Sequence, residues 1–200
     1  MTVALISGSP RPGSQSRRIA DYIVRRQSAM FGATPIELID LFELELPLWT
    51  GDFGAHPIRD TASKWPKISE ALKRAEALIA VVPEHHGIVP PAVMNLLLHC
   101  QYELAHKPGL IVAISATDGG AYPAVELRAA STKNNRLCWI PEQVVIRNVK
   151  QSLTDDNPNP SDRTKARLDY SLTLLDQYRQ ALKRVRESGI INHVTFAFGL

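Results

Sequence analysis

Short apolar runs alternate with amphipathic helical patterns along nearly the whole chain, and this alternation restricts the fold more than any other feature. Runs such as Val3-Ala4-Leu5-Ile6 are too short for buried helices and are uninterrupted by polar residues, as expected of strands covered on both faces. Each is followed by a helical pattern, so the strands are parallel and helices cover both sides of one sheet. The spacing predicts strands over 2–7, 34–40, 77–82, 109–115 and 142–149. It predicts helices over 15–30, 62–75, 91–104, 121–135 and 161–187. A length of 200 residues and a hydrophobic content of 44% suit one α/β domain over 1–200 with a full core.

The first strand runs into Ser7-Gly8-Ser9-Pro10-Arg11-Pro12-Gly13-Ser14-Gln15-Ser16, which opens the first helix. Small residues let the backbone approach an anion, and a helix N-terminus directs unpaired N–H groups and a positive dipole end at it. Arg11 adds a forked cation suited to phosphate. Pro10 and Pro12 lack N–H groups, which leaves Arg11, Gly13, Ser14, Gln15 and Ser16 as backbone donors. No Lys follows Gly13, so this is not a Walker loop; two glycines are too few for a dinucleotide fingerprint, and no cysteine nucleophile is near. The loop is built to hold a phosphate and not to cleave it.

Two further loops follow predicted strands. The third strand leads into Pro83-Glu84-His85-His86-Gly87-Ile88-Val89-Pro90-Pro91, and the fourth into Ser115-Ala116-Thr117-Asp118-Gly119-Gly120-Ala121. In an open parallel sheet, loops at carboxyl strand ends line the ligand crevice, so three such loops describe one pocket.

On the residues Gly8-Ser9-x-Arg11-x-x-Ser14-x-Ser16, Pro83-Glu84 with Gly87 and Pro90, and Gly119-Gly120, the chain resembles the NADPH-dependent FMN reductase family. The resemblance runs from Val3 to about Val149. It implies a flavodoxin-like three-layer sandwich with a five-stranded parallel sheet in the order 2-1-3-4-5. It implies FMN as cofactor and NADPH or NADH as electron donor, with hydride passing through FMN to a small acceptor: a quinone, azo compound, metal oxyanion or free flavin. Ser9, Arg11, Ser14, Gln15 and Ser16 would hold the FMN phosphate, and Pro83, Glu84, His85, His86 and Gly87 would run along the ring, with Ser115, Gly119 and Gly120 beside it. Members usually carry Pro-Glu-Tyr-Asn where this chain has Pro83-Glu84-His85-His86. The family also carries an Asn on the next helix, here Asn95, in a helix that often packs at a dimer interface.

His85 and His86 are candidates for proton transfer, because imidazole titrates near neutral pH, but a solvated or ring-stacking role competes with that. Adjacent loop histidines diverge, so no metal site is expected. Flavin chemistry needs no protein nucleophile, which suits the lack of any catalytic triad. Two other functions remain open: a non-redox protein that binds a phosphorylated ligand in the same cradle, and a flavodoxin-like electron carrier. Such carriers are usually strongly acidic, and a net charge of +3 speaks against one.

The basic residues are dispersed, so nucleic acid is not an expected partner. No apolar run approaches a membrane span and no leader pattern precedes the first strand, which makes a soluble cytoplasmic protein the expectation. Cys100 and Cys138 read as small buried apolar residues. In the last helix Leu168, Leu172, Leu175, Leu182 and Val185 form an apolar stripe, with Ser161 as its cap and Gly189 as its stop. From about 188 an apolar tail should dock on its own domain or on a partner subunit. Leu48 and Trp49 read as core plugs, with Trp49 alternatively bordering a cleft. The apolar helix around Val93-Met94-Asn95-Leu96-Leu97-Leu98 favours a homodimer, and a homotetramer is also open.

Overall fold

The computed structural model describes residues 2–51, 64–154 and 163–198. Five parallel strands, β1 (Val3–Ser7), β2 (Ile36–Asp40), β3 (Ala77–Pro83), β4 (Pro108–Ile114) and β5 (Cys138–Ile146), form one sheet in the order β2-β1-β3-β4-β5. Helices α1 (Gln15–Phe31), α2 (Trp65–Arg74), α3 (Pro91–His99), α4 (Ala121–Ala130) and α5 (Arg163–Glu187) connect and cover it. The flavodoxin-like sandwich and its strand order are as expected.

The two-residue period of each strand divides the core between the faces. Val3, Leu5, Ile79, Val81, Leu110 and Val112 point to α1 and α5, where they meet Ile19, Ile23, Leu168 and Leu172. Ala4, Ile6, Leu78, Ala80, Ile111 and Ala113 point to the opposite layer of α2, α3 and α4, against Leu72, Val93, Leu96 and Leu127. The largest of these side chains are essentially unexposed, each contributing about 1.5–3 kcal/mol. Because α1 and α3 lie on opposite faces, the crossovers leaving β1 and β3 diverge, and a crevice opens above their carboxyl ends.

Several boundaries differ from the sequence expectation. The fifth strand starts at Cys138 and ends at Ile146, not over 142–149. Pro141 sits where the β4–β5 register shifts between Gly109 and Ile111, an irregularity an edge strand tolerates. The chain leaves the sheet because Asn148 adopts φ 47° and a short 3-10 turn, Val149–Gln151, follows. The third helix stops at His99, where Cys100 turns extended, and the fourth at Ala130, where Ser131 bonds back to Leu127. In α5 the apolar stripe is buried only through Leu175; Leu182 is half-buried and Val185 exposed. Ser161 and the start expected for the second helix, residues 62 and 63, lie outside the described residues.

Leu48 is 76% exposed and is no core plug; Trp49 is half-buried. Asn95 explains the course of this segment, accepting the Trp49 N–H at 2.9 Å and donating to Pro47 O at 3.0 Å. Trp49 borders a groove of about 270 Å³ with Met94, Leu98, Tyr102 and Phe198. The tail does lie on its own domain, through polar groups. Tyr102 donates to Ala197 O, Arg136 donates to Phe196 O, and His193 stacks on Tyr102 at 4.3 Å. Its apolar side chains Val194, Phe196 and Phe198 stay exposed. Cys100 is buried, and burial pushes its thiol well up, which leaves it inert; Cys138 is half-buried and its thiol is raised by the same cause. Among the described residues, no helix is long and apolar enough to cross a membrane.

Candidate active site

The ends of β1, β3 and β4 are adjacent in the sheet, so the loops that leave them share one crevice. Loop 1 (8–14) is drawn down onto the sheet at its first residue. The Gly8 N–H donates to Val81 O at 2.8 Å, and a Cβ on Gly8 would stand 2.8 Å from that oxygen and 2.9 Å from Val93 Cγ2. Only glycine allows this approach. Gly13, at φ 59°, reverses the chain into Ser14, whose hydroxyl accepts the Arg17 N–H at 3.2 Å as the N-cap of α1. Ser9 is buried and its hydroxyl accepts the Arg11 N–H at 3.3 Å.

What remains in loop 1 is an excess of donors. Among the described residues, the N–H groups of Gly13, Gln15 and Ser16 find no acceptor in the protein. The Ser16 hydroxyl is fully buried and has no partner, which ordinarily costs about 1–3 kcal/mol. Gln15 Oε1 already accepts from Arg18 Nε at 2.8 Å, which leaves its NH₂ group to donate. These groups surround the positive end of α1, and an anionic phosphate there would satisfy them.

Loop 2 (84–90) is a rigid hairpin. His85 and Ile88 exchange both backbone hydrogen bonds, 3.1 and 3.0 Å, around His86 at φ 53° and Gly87 at φ 79°. Two successive left-handed residues are the mark of a type I′ turn. The Val89 N–H is held by Glu126 Oε2 of α4 at 2.7 Å. The Glu84 side chain lies against loop 3 (115–120), where it accepts the Gly120 N–H at 2.5 Å. It braces the frame of the crevice, tying the loop that the resemblance sets along the ring to loop 3. His85 reaches loop 1 instead, with its Nε2 3.0 Å from Arg11 Nη2. Burial, then the Arg11 charge and His86, lower the affinity of His85 for a proton.

Loop 3 is fastened at both ends. The Ser115 N–H donates to Ile146 O and the Ser115 hydroxyl accepts the Thr117 N–H at 3.3 Å. Arg147 Nε donates to Asp118 O at 2.6 Å. Gly120, at φ 100°, could not carry a side chain, because a Cβ would stand 2.9 Å from Val145 Cγ1.

The structure therefore brings together Ser9, Arg11, Ser14, Gln15 and Ser16 in one cradle, and places Pro83, Glu84, His85, His86 and Gly87 beside Ser115, Gly119 and Gly120. Sequence reasoning missed three supports. Arg147 holds loop 3. Arg18 grips the carbonyls of Val149, Ser152 and Leu153, and Arg17 bonds Asp40 at 3.0 Å at the end of β2. Arg147 and Asp40 both stand at carboxyl strand ends, the signal that found the loops themselves. No group of three or more His, Cys, Asp or Glu side chains able to hold a metal occurs among the described residues.

Comparison with known proteins identifies the family and the fold. The profile of the family described as NADPH-dependent FMN reductase matches residues 1–151. An NADPH azoreductase from Bacillus sp. (strain OY1-2) is 28% identical over 147 residues, 73% of this chain and 76% of the relative. A quinone reductase from Pseudomonas putida is 25% identical over 170 residues, 82% of this chain and 87% of the relative. Among solved structures, the flavoenzyme NAD(P)H:(acceptor) oxidoreductase from Paracoccus denitrificans superposes with a TM-score of 0.63 at 15% identity, covering 92% of this chain and 97% of that one. An NADH:FMN oxidoreductase in its apo form gives 0.62 at 16% identity, covering 90% and 89%. At these identities the structural matches establish a shared fold.

Proposed function

The chain belongs to the NADPH-dependent FMN reductase family and is an oxidoreductase whose cofactors are FMN and NAD(P)H, and we propose that loops 1, 2 and 3 hold FMN for hydride transfer from NAD(P)H to a quinone or azo compound. The acceptor class rests on the similarity to the azoreductase and the quinone reductase. FMN supplies the redox chemistry when bound. The chain's own residues bind and orient it. Arg11, the Ser9, Ser14 and Ser16 hydroxyls and the Gln15 amide meet the phosphate, and the backbone of 83–87 and 115–120 lies along the ring.

The observation that carries this reading is the buried, unpartnered Ser16 hydroxyl beside the unsatisfied N–H groups of α1. Open N–H groups at a helix start can bond water, but a buried hydroxyl with no partner beside them is what a turn alone does not require. The test is the visible spectrum of the protein with FMN and its bleaching by NADPH without oxygen. Failure to acquire a flavin spectrum rejects the reading. A bound flavin that neither NADPH nor NADH bleaches leaves the chain as an electron carrier. Arg11→Ala should weaken FMN binding by about 1.5–3 kcal/mol, the scale of a charge-assisted hydrogen bond.

We also read the protein as a cytoplasmic homodimer or homotetramer. Leu98 of α3 and Tyr122 and Val125 of α4 are exposed on the same layer, at 48, 67 and 64%. A second copy covering them is the economical explanation, and solution mass decides it.

A further inference from the structure

Arg11 and His85 come from different loops, 74 residues apart, and meet at 3.0 Å. A guanidinium carries donors and no acceptor, so Arg11 Nη2 donates and His85 Nε2 receives with its lone pair. That contact fixes the ring as the neutral Nδ1–H tautomer and cannot coexist with an imidazolium.

The two partners differ in freedom. His85 is held by both backbone bonds of the loop 2 turn, with Glu126 and Glu84 anchoring the loop's flanks. Arg11 is exposed and ends in a long flexible side chain. The cradle that lacks an acceptor is the loop that carries Arg11, so an anion there competes with His85 for the same guanidinium.

We propose that phosphate in the loop 1 cradle draws Arg11 away from His85 Nε2 and that this nitrogen then takes up a proton, so that the cofactor and a proton on loop 2 are bound together. The inference rests on the FMN reading. Its balance is simple: an Nε2–H bond forms with a proton from solvent, and no electrons move. Among the described residues, Arg11 and His86 are the cationic or titratable groups that act on His85, and both disfavour its protonation. Departure of the first and arrival of an anion act in the same direction. From α4, Tyr122 stands near Gly87, while the Glu126 and Glu84 carboxylates bond Val89 N–H and Gly120 N–H and not His85. His85 becomes, on this account, a proton donor present only when the cofactor is seated.

The test is calorimetric titration of the flavin-free full chain with FMN, and separately with riboflavin, between about pH 5 and 8 in buffers of different ionisation enthalpy, which counts protons. FMN has its own phosphate titration, so the informative quantity is the difference between the native chain and His85→Gln. The native chain should take up more protons with FMN, by a sizeable fraction of one near pH 6–7, and show no excess with riboflavin, which lacks the phosphate. Arg11→Ala should shrink the excess even where FMN still binds, because only the contribution of the arriving anion is left. Equal proton counts for the native chain and His85→Gln, both binding FMN, overturn the inference and leave the FMN reading standing. A native chain that binds no FMN overturns both. Circular dichroism of each variant confirms that it is folded before its count is compared.

Discussion

Glu84 Oε2 accepts the Gly120 N–H at 2.5 Å, while Oε1 stands 2.8 Å from where a Cβ on Gly119 would lie. One carboxylate thus joins the loop after β3 to the loop before α4, and the glycine pair exists in part to let it fit. The width of the crevice between these loops is set by this contact.

Glu84→Ala should therefore loosen the crevice without disturbing loop 1. A charge-assisted hydrogen bond at a half-buried site gives an expected stability loss of about 1.5–3 kcal/mol. Thermal melts measure it, at about 2–4 °C per kcal/mol for a chain of this size. FMN affinity should fall while inorganic phosphate binding is unchanged, because the proposed phosphate cradle is loop 1 alone.

Gly8→Ala tests the seating of loop 1 on the sheet. The added methyl meets Val81 O at 2.8 Å and Val93 Cγ2 at 2.9 Å, backbone on one side and a core side chain on the other. Neither gives way easily, so the cost is about 1–3 kcal/mol of overpacking, read by urea denaturation. A fully stable Gly8→Ala variant would mean that loop 1 can lift off β3.

Arg26 holds Asp169 bidentately, at 2.5 and 2.8 Å, with Lys165 at 2.9 Å, tying α1 to α5. Burial raises the carboxyl, but the hydrogen bonds from Arg26 and Lys165 outweigh it and hold the group below its ordinary 3.8. A depressed folded value means that this stabilisation is complete above about pH 4 and is lost as pH falls through the folded value. Asp169→Asn should thus lower the melting point at neutral pH by about 1–3 °C, as expected for a half-exposed pair. The gap to the native chain should close in acid. A gap that does not narrow as the pH is lowered would assign the effect to packing.

Lys107 is buried, and its ammonium donates to Leu72 O and Lys73 O at 2.8 and 2.9 Å, capping the end of α2. Burial lowers its affinity for a proton to about 8 from 10.5. Between those two values the unfolded chain binds more protons than the folded one, so this residue makes stability rise with pH from about 8 to 10.5. Lys107→Met should abolish that rise while costing about 1–3 kcal/mol for the two carbonyls left unpaired. Denaturation midpoints at pH 7.5 and 9.5 compare the two chains.

Much of the fold was readable along the chain because its signals are local. Apolar runs covered on both faces have no polar alternation, and helical stripes such as Leu168, Leu172 and Leu175 repeat within a few residues of each other. Boundaries failed where the deciding contact is distant. Cys138 and Trp139 join the sheet because Trp139 packs over Gly109, where a Cβ would stand 2.6 Å from the ring. No window around residue 139 contains residue 109. Leu48 looked like a core residue by its type, yet the hydrogen bonds of Asn95 and His99 to the Pro47 region carry it along the outside of α3.

The cradle divides along the same line. Ser9 to Ser16, contiguous and placed at a helix start, carry their chemistry in their order, because backbone donors at a helix N-terminus need no distant partner to point one way. By itself the sequence therefore determined a parallel α/β sheet and the run of backbone donors on its first loop that a phosphate would need. Tertiary structure alone decided that Glu84 serves loop 3, that Arg11 reaches His85, and that Arg18 and Arg147 lock the surrounding turns. Each of these is a side chain meeting a group dozens of residues away, and only the stacking order of β1, β3, β4 and β5 determines which of the possible partners lies within reach.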